Sequence, residues 1–281
     1  MRVEQLGDGD PSVAVVAAIH GDEPCGVHAV ERLLADAPAV REPVKLVVAN
    51  ERALDAGVRY VDADLNRSFG EDVPEDAHER VLAERMADEI RGCTVLAVHS
   101  TQSHAAPFAI SSGVDAPVPA LVPALSVDAL VDTGDFGAGR LFATEADILE
   151  VEAGLQGSET AAENAVELVR EFLAATGVLA DSDEPAPGRE VPVFEMGESI
   201  QKPPAETYEV FAENFQEVTE GDTYAAADGE PLVADEAFWP VLLSPYGYAH
   251  QFGYRGEPAG VLQSSEDGAN STSVSSLSSA Q

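Results

Sequence analysis

Apolar residues in the N-terminal two thirds of the chain fall in short unbroken runs. Longer segments with helical spacing separate them. The runs are "SVAVVAAI" (12–19), "PVKLVVAN" (43–50), "TVLAVH" (94–99), "PFAISS" (107–112) and "ADILEVEAG" (146–154). Runs of this length with little polar alternation predict strands buried on both faces. "EPCGVHAVERLLADA" (23–37) predicts a helix with Pro24 in its first turn. "EDAHERVLAERMADEI" (75–90) predicts a second, with Val81, Leu82, Met86 and Ile90 turned inward. "SETAAENAVELVREFLAATG" (158–177) predicts a third, with Ala162, Val166, Val169 and Leu173 on one side and Gly177 closing the end. Strand and helix in alternation imply an α/β fold, a mostly parallel or mixed sheet with helices on both faces. Ligands in such folds gather at the carboxyl ends of strands.

After Gly177 the pattern changes. "DSDEPAPGRE" (181–190) is polar and proline-rich, and predicts a linker over 183–190 after a first domain spanning 1–182. From 191 to 262 the runs shorten, as in "VPVFEMGESI" and "TYEVFAENF", and a small β domain is expected. The end, 263–281, is serine-rich and predicts a disordered tail.

Charge narrows the reading further. Lys plus Arg number 15 and Asp plus Glu 51, a formal net charge of −36. Lys45 and Lys202 are the only lysines, so 15 − 2 leaves 13 arginines. Such a surface repels itself at low ionic strength, whereas at ~1 M salt the Debye length is only about 3 Å. The chain reads as one adapted to a high-salt cytoplasm, as in halophilic archaea. No basic face is available for nucleic acid, and no apolar run reaches bilayer length. "MRVEQLGDGD" lacks the basic-then-apolar pattern of a leader, so a cytoplasmic location is expected. The two cysteines, Cys25 and Cys93, lack zinc-pair spacing. Cys25 reads as a small buried helix residue.

Three clusters carry chemistry. His20 closes an apolar run and Glu23 follows it, just before a helix. A strand-end histidine with a helix N-terminal acid is common in structural roles. His99 changes the balance, because it closes a second apolar run 79 positions away. Two histidines and a glutamate suit Zn²⁺ and leave one coordination position open to water. His104 is a lesser rival for the third ligand, and His78 reads as solvated. The second cluster is "RYVDADLNRSFG" (59–70), where Arg59 and Arg67 offer an anion clamp and Asn66 a neutral donor and acceptor. A surface network with Asp62 and Asp64 is the structural alternative. A magnesium phosphotransfer role for Asp62 and Asp64 is set aside, since neither follows a buried run. The third is "EVEAG" (150–154), where alternation puts Glu150 and Glu152 on one face. Glu152 lies nearer the carboxyl end and is assigned as general base.

Together these clusters resemble the succinylglutamate desuccinylase/aspartoacylase family of zinc carboxypeptidase-like hydrolases. The matching segments are "HGDE" (20–23), "RYVDADLNRSF" (59–69), "AVH" (97–99) and "EAG" (152–154). The resemblance implies a three-layer α/β/α domain carrying a small C-terminal β domain. It implies one Zn²⁺ per chain, bound by His20, Glu23 and His99. Glu152 would move the proton between water and leaving amine, and Arg59 would polarise the scissile carbonyl. Asn66 and Arg67 would hold the substrate carboxylate, joined by Arg140 and by a C-terminal tyrosine, Tyr246 with Tyr248 as rival. The activity implied is removal of an acyl group from a small N-acyl amino acid or related acylated amine. A metallocarboxypeptidase acting on a peptide end and a non-catalytic zinc-binding homologue are the alternatives, and the retained Glu152 speaks against the second. The implied partner is a small molecule, with no nucleic acid and no membrane, and a homo-oligomer is compatible with the reading.

The charge argument yields the first test. Thermal unfolding followed by circular dichroism should give a much lower Tm in dilute buffer than in ~2 M KCl, where surface repulsion is screened. Equal Tm values would remove the high-salt reading.

Overall fold

The computed structural model describes residues 1–70, 72–137, 139–179 and 188–263. The order is β1 (Arg2–Leu6), β2 (Val13–Ala17), α1 (Cys25–Asp36), β3 (Val44–Val48), α2 (Glu51–Ala56), α3 (His78–Ile90), β4 (Thr94–Thr101), β5 (Phe108–Ser111), α4 (Val118–Leu121), β6 (Leu130–Asp132), β7 (Asp147–Leu155) and α5 (Glu159–Ala175). There follow β8 (Val191–Gln201), β9 (Tyr208–Val210), β10 (Thr223–Ala227), β11 (Glu230–Val233), β12 (Trp239–Val241) and β13 (Gln251–Leu262).

Ten strands form one sheet in the order β1-β3-β2-β4-β7-β5-β6-β8-β13-β12. At its centre β3, β2, β4 and β7 run parallel. Every residue of β2 is buried, as expected of a strand covered on both faces. Helices α1 and α5 pack together with Val15, Leu96 and Val151 on one face. Helix α3 covers the other, where Leu82, Met86 and Ile90 meet Val16 and Val95. This is the expected three-layer α/β fold with a mixed sheet. Among the described residues no helix is long and apolar enough to cross a membrane.

Several expectations need correction. The sequence predicts a separate β unit over 191–262, but β8 pairs in parallel with β6, and β13 and β12 extend the same sheet. Only β9, β10 and β11 stand apart, as a three-stranded sheet. Of the predicted linker only 188–190, and of the predicted tail only Gln263, are among the described residues. Val81 is exposed, because Glu79 and Ala83 share the inward face of α3 instead. On α5 the buried face is rotated by about one residue. It holds Ala161, Ala165, Leu168 and Phe172 beside Val169 and Leu173, and leaves Ala162 and Val166 half-buried.

Glu79 is fully buried, and its carboxylate organises the loop that later carries Arg59 and Asp64. It accepts from Val61 N at 2.7 Å, Asp62 N at 3.0 Å, Ala63 N at 3.1 Å and Asn50 Nδ2 at 2.9 Å. Burial alone would raise its pKa, but these donors outweigh it and hold the carboxyl below its ordinary value. The folded-state pKa is thus the lower one, so the stabilisation is complete above the ordinary glutamate range and fades as pH falls through the lowered value. Glu79→Ala should cost about 3 kcal/mol of stability near neutral pH, because three backbone N–H groups lose their acceptor. The gap between wild type and variant, measured by denaturant melts, should narrow in acid.

Candidate active site

The site forms at the carboxyl ends of β2, β4 and β7. Beyond β2 the chain turns at Ala18, which takes a φ of 53° in the left-handed region. Gly21 then lies against α2. A Cβ there would come within 2.2 Å of the Ala53 carbonyl carbon, so only glycine fits, and Gly21 N bonds Arg59 O at 3.0 Å. This close approach turns both His20 and Glu23 inward, each 4% exposed.

Glu23 is the hub. Its Oε1 lies 2.8 Å from His20 Nδ1 and accepts from Arg59 Nη1 at 3.1 Å. Its Oε2 lies 2.9 Å from His99 Nδ1 and accepts from Ser100 N at 3.2 Å. Burial would raise the Glu23 pKa, yet the two imidazoles hold it far below the usual range. Burial likewise disfavours charge on His99, but Glu23 outweighs it and raises the pKa to about 9. His20 Nε2 lies 3.1 Å from Asp64 Oδ1, a carboxylate–histidine pair of the kind that orients metal-ligating rings. Ligand atoms of His20, Glu23 and His99 all lie within 4.8 Å of one another. A tetrahedral Zn²⁺ with bonds of about 2.0–2.2 Å needs donors about 3.3–3.5 Å apart, so small adjustments suffice.

His99 on β4 sits opposite Glu152 on β7. The next aligned pair is Thr101 with Leu155, so β7 carries one extra residue just past the site. Gly154 takes up that bulge at φ +130°, where a Cβ would meet Ala105 O at 2.8 Å. Glu152 Oε2 is buried with no hydrogen-bond partner, as is His99 Nε2. Burial and the nearby Glu23 charge push the Glu152 carboxyl up to about 7. Glu150 is different, since it accepts from Asn66 Nδ2 at 3.1 Å. Two glutamates that alternation could not separate are thus distinct.

Asn66 is buried, and its Oδ1 accepts from Leu141 N at 2.9 Å. Both ends of its amide are therefore engaged by the protein. It ties Glu150 to the residue after Arg140 rather than facing the cleft. Arg67 is solvent-exposed and donates to Asn66 O at 2.7 Å. Desolvation and the neighbouring Arg140 lower its pKa, with Tyr248 and Tyr254 also close. Arg140 is near enough to Arg67 for its charge to be felt there. Arg59 bonds Asp64 Oδ2 through Nε at 3.3 Å and Nη2 at 3.2 Å, so the surface-network alternative describes part of its role. Tyr246 corrects the sequence reading. It is 61% exposed, while its rival Tyr248 lines the cleft. Lys202 Nζ holds the Tyr248 carbonyl at 2.6 Å.

His104 is no ligand, for its ring packs on Phe108 and Phe215. His78 Nε2 is buried without a partner, contrary to the solvated reading. Cys25 donates its thiol to His99 O at 3.4 Å, and burial, aided by Glu23, pushes its pKa up to about 12. It therefore stays protonated beside the cluster.

The fold and this cluster define an α/β protein with its site at the carboxyl edge of a parallel sheet core. The catalytic-domain model of the succinylglutamate desuccinylase/aspartoacylase family matches residues 9–176, and the chain belongs to that family of deacylases. It is similar in fold to a succinylglutamate desuccinylase from Silicibacter sp. (18% identity, TM-score 0.74, 91% of this chain and 88% of that one). It is also similar to the product-bound ectoine utilization protein EutE (DoeB) from Ruegeria pomeroyi (19% identity, TM-score 0.72, 90% and 87%). Murine aminoacylase 3 gives 20% identity and a TM-score of 0.68 over 91% of this chain and 98% of that one. No curated sequence matches the chain.

Gly21→Ala should force α2 away from the site. It should cost on the order of 2 kcal/mol of stability, as overpacking does, and weaken any affinity of the His20–Glu23–His99 cluster for a divalent cation at least about tenfold, because the orientation of the side chains suffers. Calorimetric titration of metal into the apo-protein checks both, together with a melt.

Proposed function

We propose that the chain is a zinc-dependent deacylase that hydrolyses the amide bond of a small N-acyl amino acid. The observation that carries this reading is the partnerless oxygen of Glu152 beside the His20–Glu23–His99 cluster. The donor set fits Zn²⁺ in chemistry and spacing, and the protons that both imidazoles share with Glu23 would leave as a cation entered. When bound, Zn²⁺ supplies Lewis acidity that lowers the pKa of water toward about 7 and polarises a carbonyl.

The protein groups do the rest. A carboxyl titrating near 7 is suited to take a proton from water and return it at the same pH. Glu152 accepts the proton as water oxygen bonds to the acyl carbon, and delivers it to nitrogen as the C–N bond breaks. The products are an acyl carboxylate and a free amine. Arg59 donates to the carbonyl oxygen as that oxygen gains charge. Arg67, with the charge of Arg140 near it, holds the amino-acid carboxylate. Asn66 acts one step back, fixing Glu150 and the chain at Leu141. Tyr248 takes the place first given to Tyr246, on a wall contributed by the C-terminal strands. A high-salt cytoplasm remains the proposed setting for the acidic surface.

The reading is tested by zinc analysis and by a screen of N-acyl amino acids at high salt. Glu152→Gln should keep one Zn²⁺ per chain by mass spectrometry while turnover falls by about 10³-fold or more, as for loss of a general base. Full activity in this variant would remove Glu152 from the mechanism. Arg67→Ala should raise KM roughly tenfold or more through loss of a charged hydrogen bond, whereas Tyr246→Phe should leave KM unchanged.

A further inference from the structure

The chain has two lysines and uses them differently. Lys45 Nζ pairs with Glu89 Oε2 at 2.9 Å. Lys202 follows β8 directly and is half-buried. Among the described residues it pairs with no acid, in a chain that carries 51 of them. Its Nζ lies 4.9 Å from the ring centre of Tyr208, 5.6 Å from that of Phe252 and 6.0 Å from that of Tyr246. It donates to Tyr248 O at 2.6 Å. Burial lowers its pKa, and no neighbouring anion opposes that shift. A lysine that only covered the surface would extend its ammonium into water. Here ring faces hold the cation, and one carbonyl accepts from it.

The carbonyl belongs to residues 244–250, a turn with no strand or helix of its own. At its start Ser244 Oγ accepts from Tyr246 N at 3.3 Å and from Gly247 N at 3.1 Å. Lys202 holds the other half. Its backbone amide donates to His250 O at 2.9 Å, and its ammonium donates to Tyr248 O. Tyr248 is where this half of the turn lines the cleft, and its ring stands edge-on to Tyr254 at 6.1 Å. Glu152 is near enough for its charge to bear on the Tyr248 hydroxyl. We propose that Lys202 is a positioning residue, whose caged ammonium fixes the Tyr248 carbonyl and so holds the Tyr248 side chain at the cleft. The proposal rests on the deacylase reading only where substrate is concerned. A charge-assisted bond within a box of rings is firm, because little water competes for the carbonyl. Concentrated salt screens exposed ion pairs but scarcely weakens a partly buried contact of this kind.

The test removes the charge and keeps most of the stem, as Lys202→Met. In the zinc-loaded full chain at high salt, hydrogen exchange read by mass spectrometry should quicken at least about tenfold across 244–250, as loss of a charged hydrogen bond implies. Exchange across β2 and β4 should stay as in wild type. The KM for the best N-acyl amino acid should rise roughly tenfold, while kcat changes less than about threefold. In a Tyr248→Ala background the same substitution should leave KM within about twofold, because the residue through which Lys202 acts is gone. Additive losses in the double variant overturn the proposal, since Lys202 then acts elsewhere. Unchanged exchange in a folded Lys202→Met chain overturns it too. Lys202→Gln takes the same measurements should the methionine variant fail to fold. If zinc-loaded wild type cleaves no N-acyl amino acid, the deacylase reading falls, and the exchange measurement alone decides the role of Lys202.

Discussion

A carboxylate stripped of water is stable only if its charge is answered on every side, and Glu23 shows what that demands of the surrounding chain. Its two oxygens meet His20, His99, Arg59 and the Ser100 amide, contributed by three separate stretches of sequence. Removing any one leaves a buried charge partly unpaired, at a cost of several kcal/mol. The cluster therefore fixes more than the positions of its own side chains. It holds the β2 turn, the loop at Arg59 and the end of β4 in one arrangement. The high pKa of His99, about 9, is the other side of the same constraint, because Glu23 favours the charged ring. A divalent cation can take over that role, satisfying the carboxylate and both rings together.

The backbone around the cluster is shaped to permit this convergence. Ala18 adopts φ 53°, a costly conformation for a residue with a Cβ, and Gly21 presses on the backbone of α2. The extra residue in β7 falls immediately after the His99–Glu152 pair. Each feature departs from regular geometry at the carboxyl edge of the sheet, while the buried strands below stay regular. Glu79 repeats the logic one layer out, where a buried carboxylate organises residues 61–63 and so carries Arg59 to Glu23. Rigid strands supply position, and buried acids supply the order of the loops that cross them.

What could be read from the sequence follows from the range of each interaction. His20, Glu23, His99 and Glu152 were legible because each ends or closely follows an apolar run, and the carboxyl ends of parallel strands share one edge. Strand β1 was missed because it is an edge strand with three of its five residues exposed, so it carries no apolar run. The continuation of the sheet through β8 was hidden because its pairing with β6 joins positions about 60 residues apart. The difference between Glu150 and Glu152 lay in Asn66, which is 84 positions from Glu150 and shows nothing in local pattern. Tyr246 and Tyr248 are two residues apart in one turn. Distant partners of that turn, Lys202 at the Tyr248 carbonyl and Tyr208 N at the Tyr246 hydroxyl, leave no trace in local pattern. Local periodicity also misjudged α5 by one position, since alanines on both flanks made two adjacent faces almost equally apolar.

The acidic surface and the site constrain each other. Net charge of −36 opposes the approach of any anion at low ionic strength. At ~1 M salt that field extends only about 3 Å, so long-range steering disappears along with repulsion. Recognition must then rest on contact. Arginine suits that role, because its planar fork makes paired hydrogen bonds that survive screening better than a distant charge does. Arg67 feels the charge of Arg140 as well as that of Asp64, in a chain where acids outnumber bases by 51 to 15. In concentrated salt a hydrogen bond inside a narrow cleft discriminates between ligands by geometry, whereas a lone exposed charge scarcely discriminates at all.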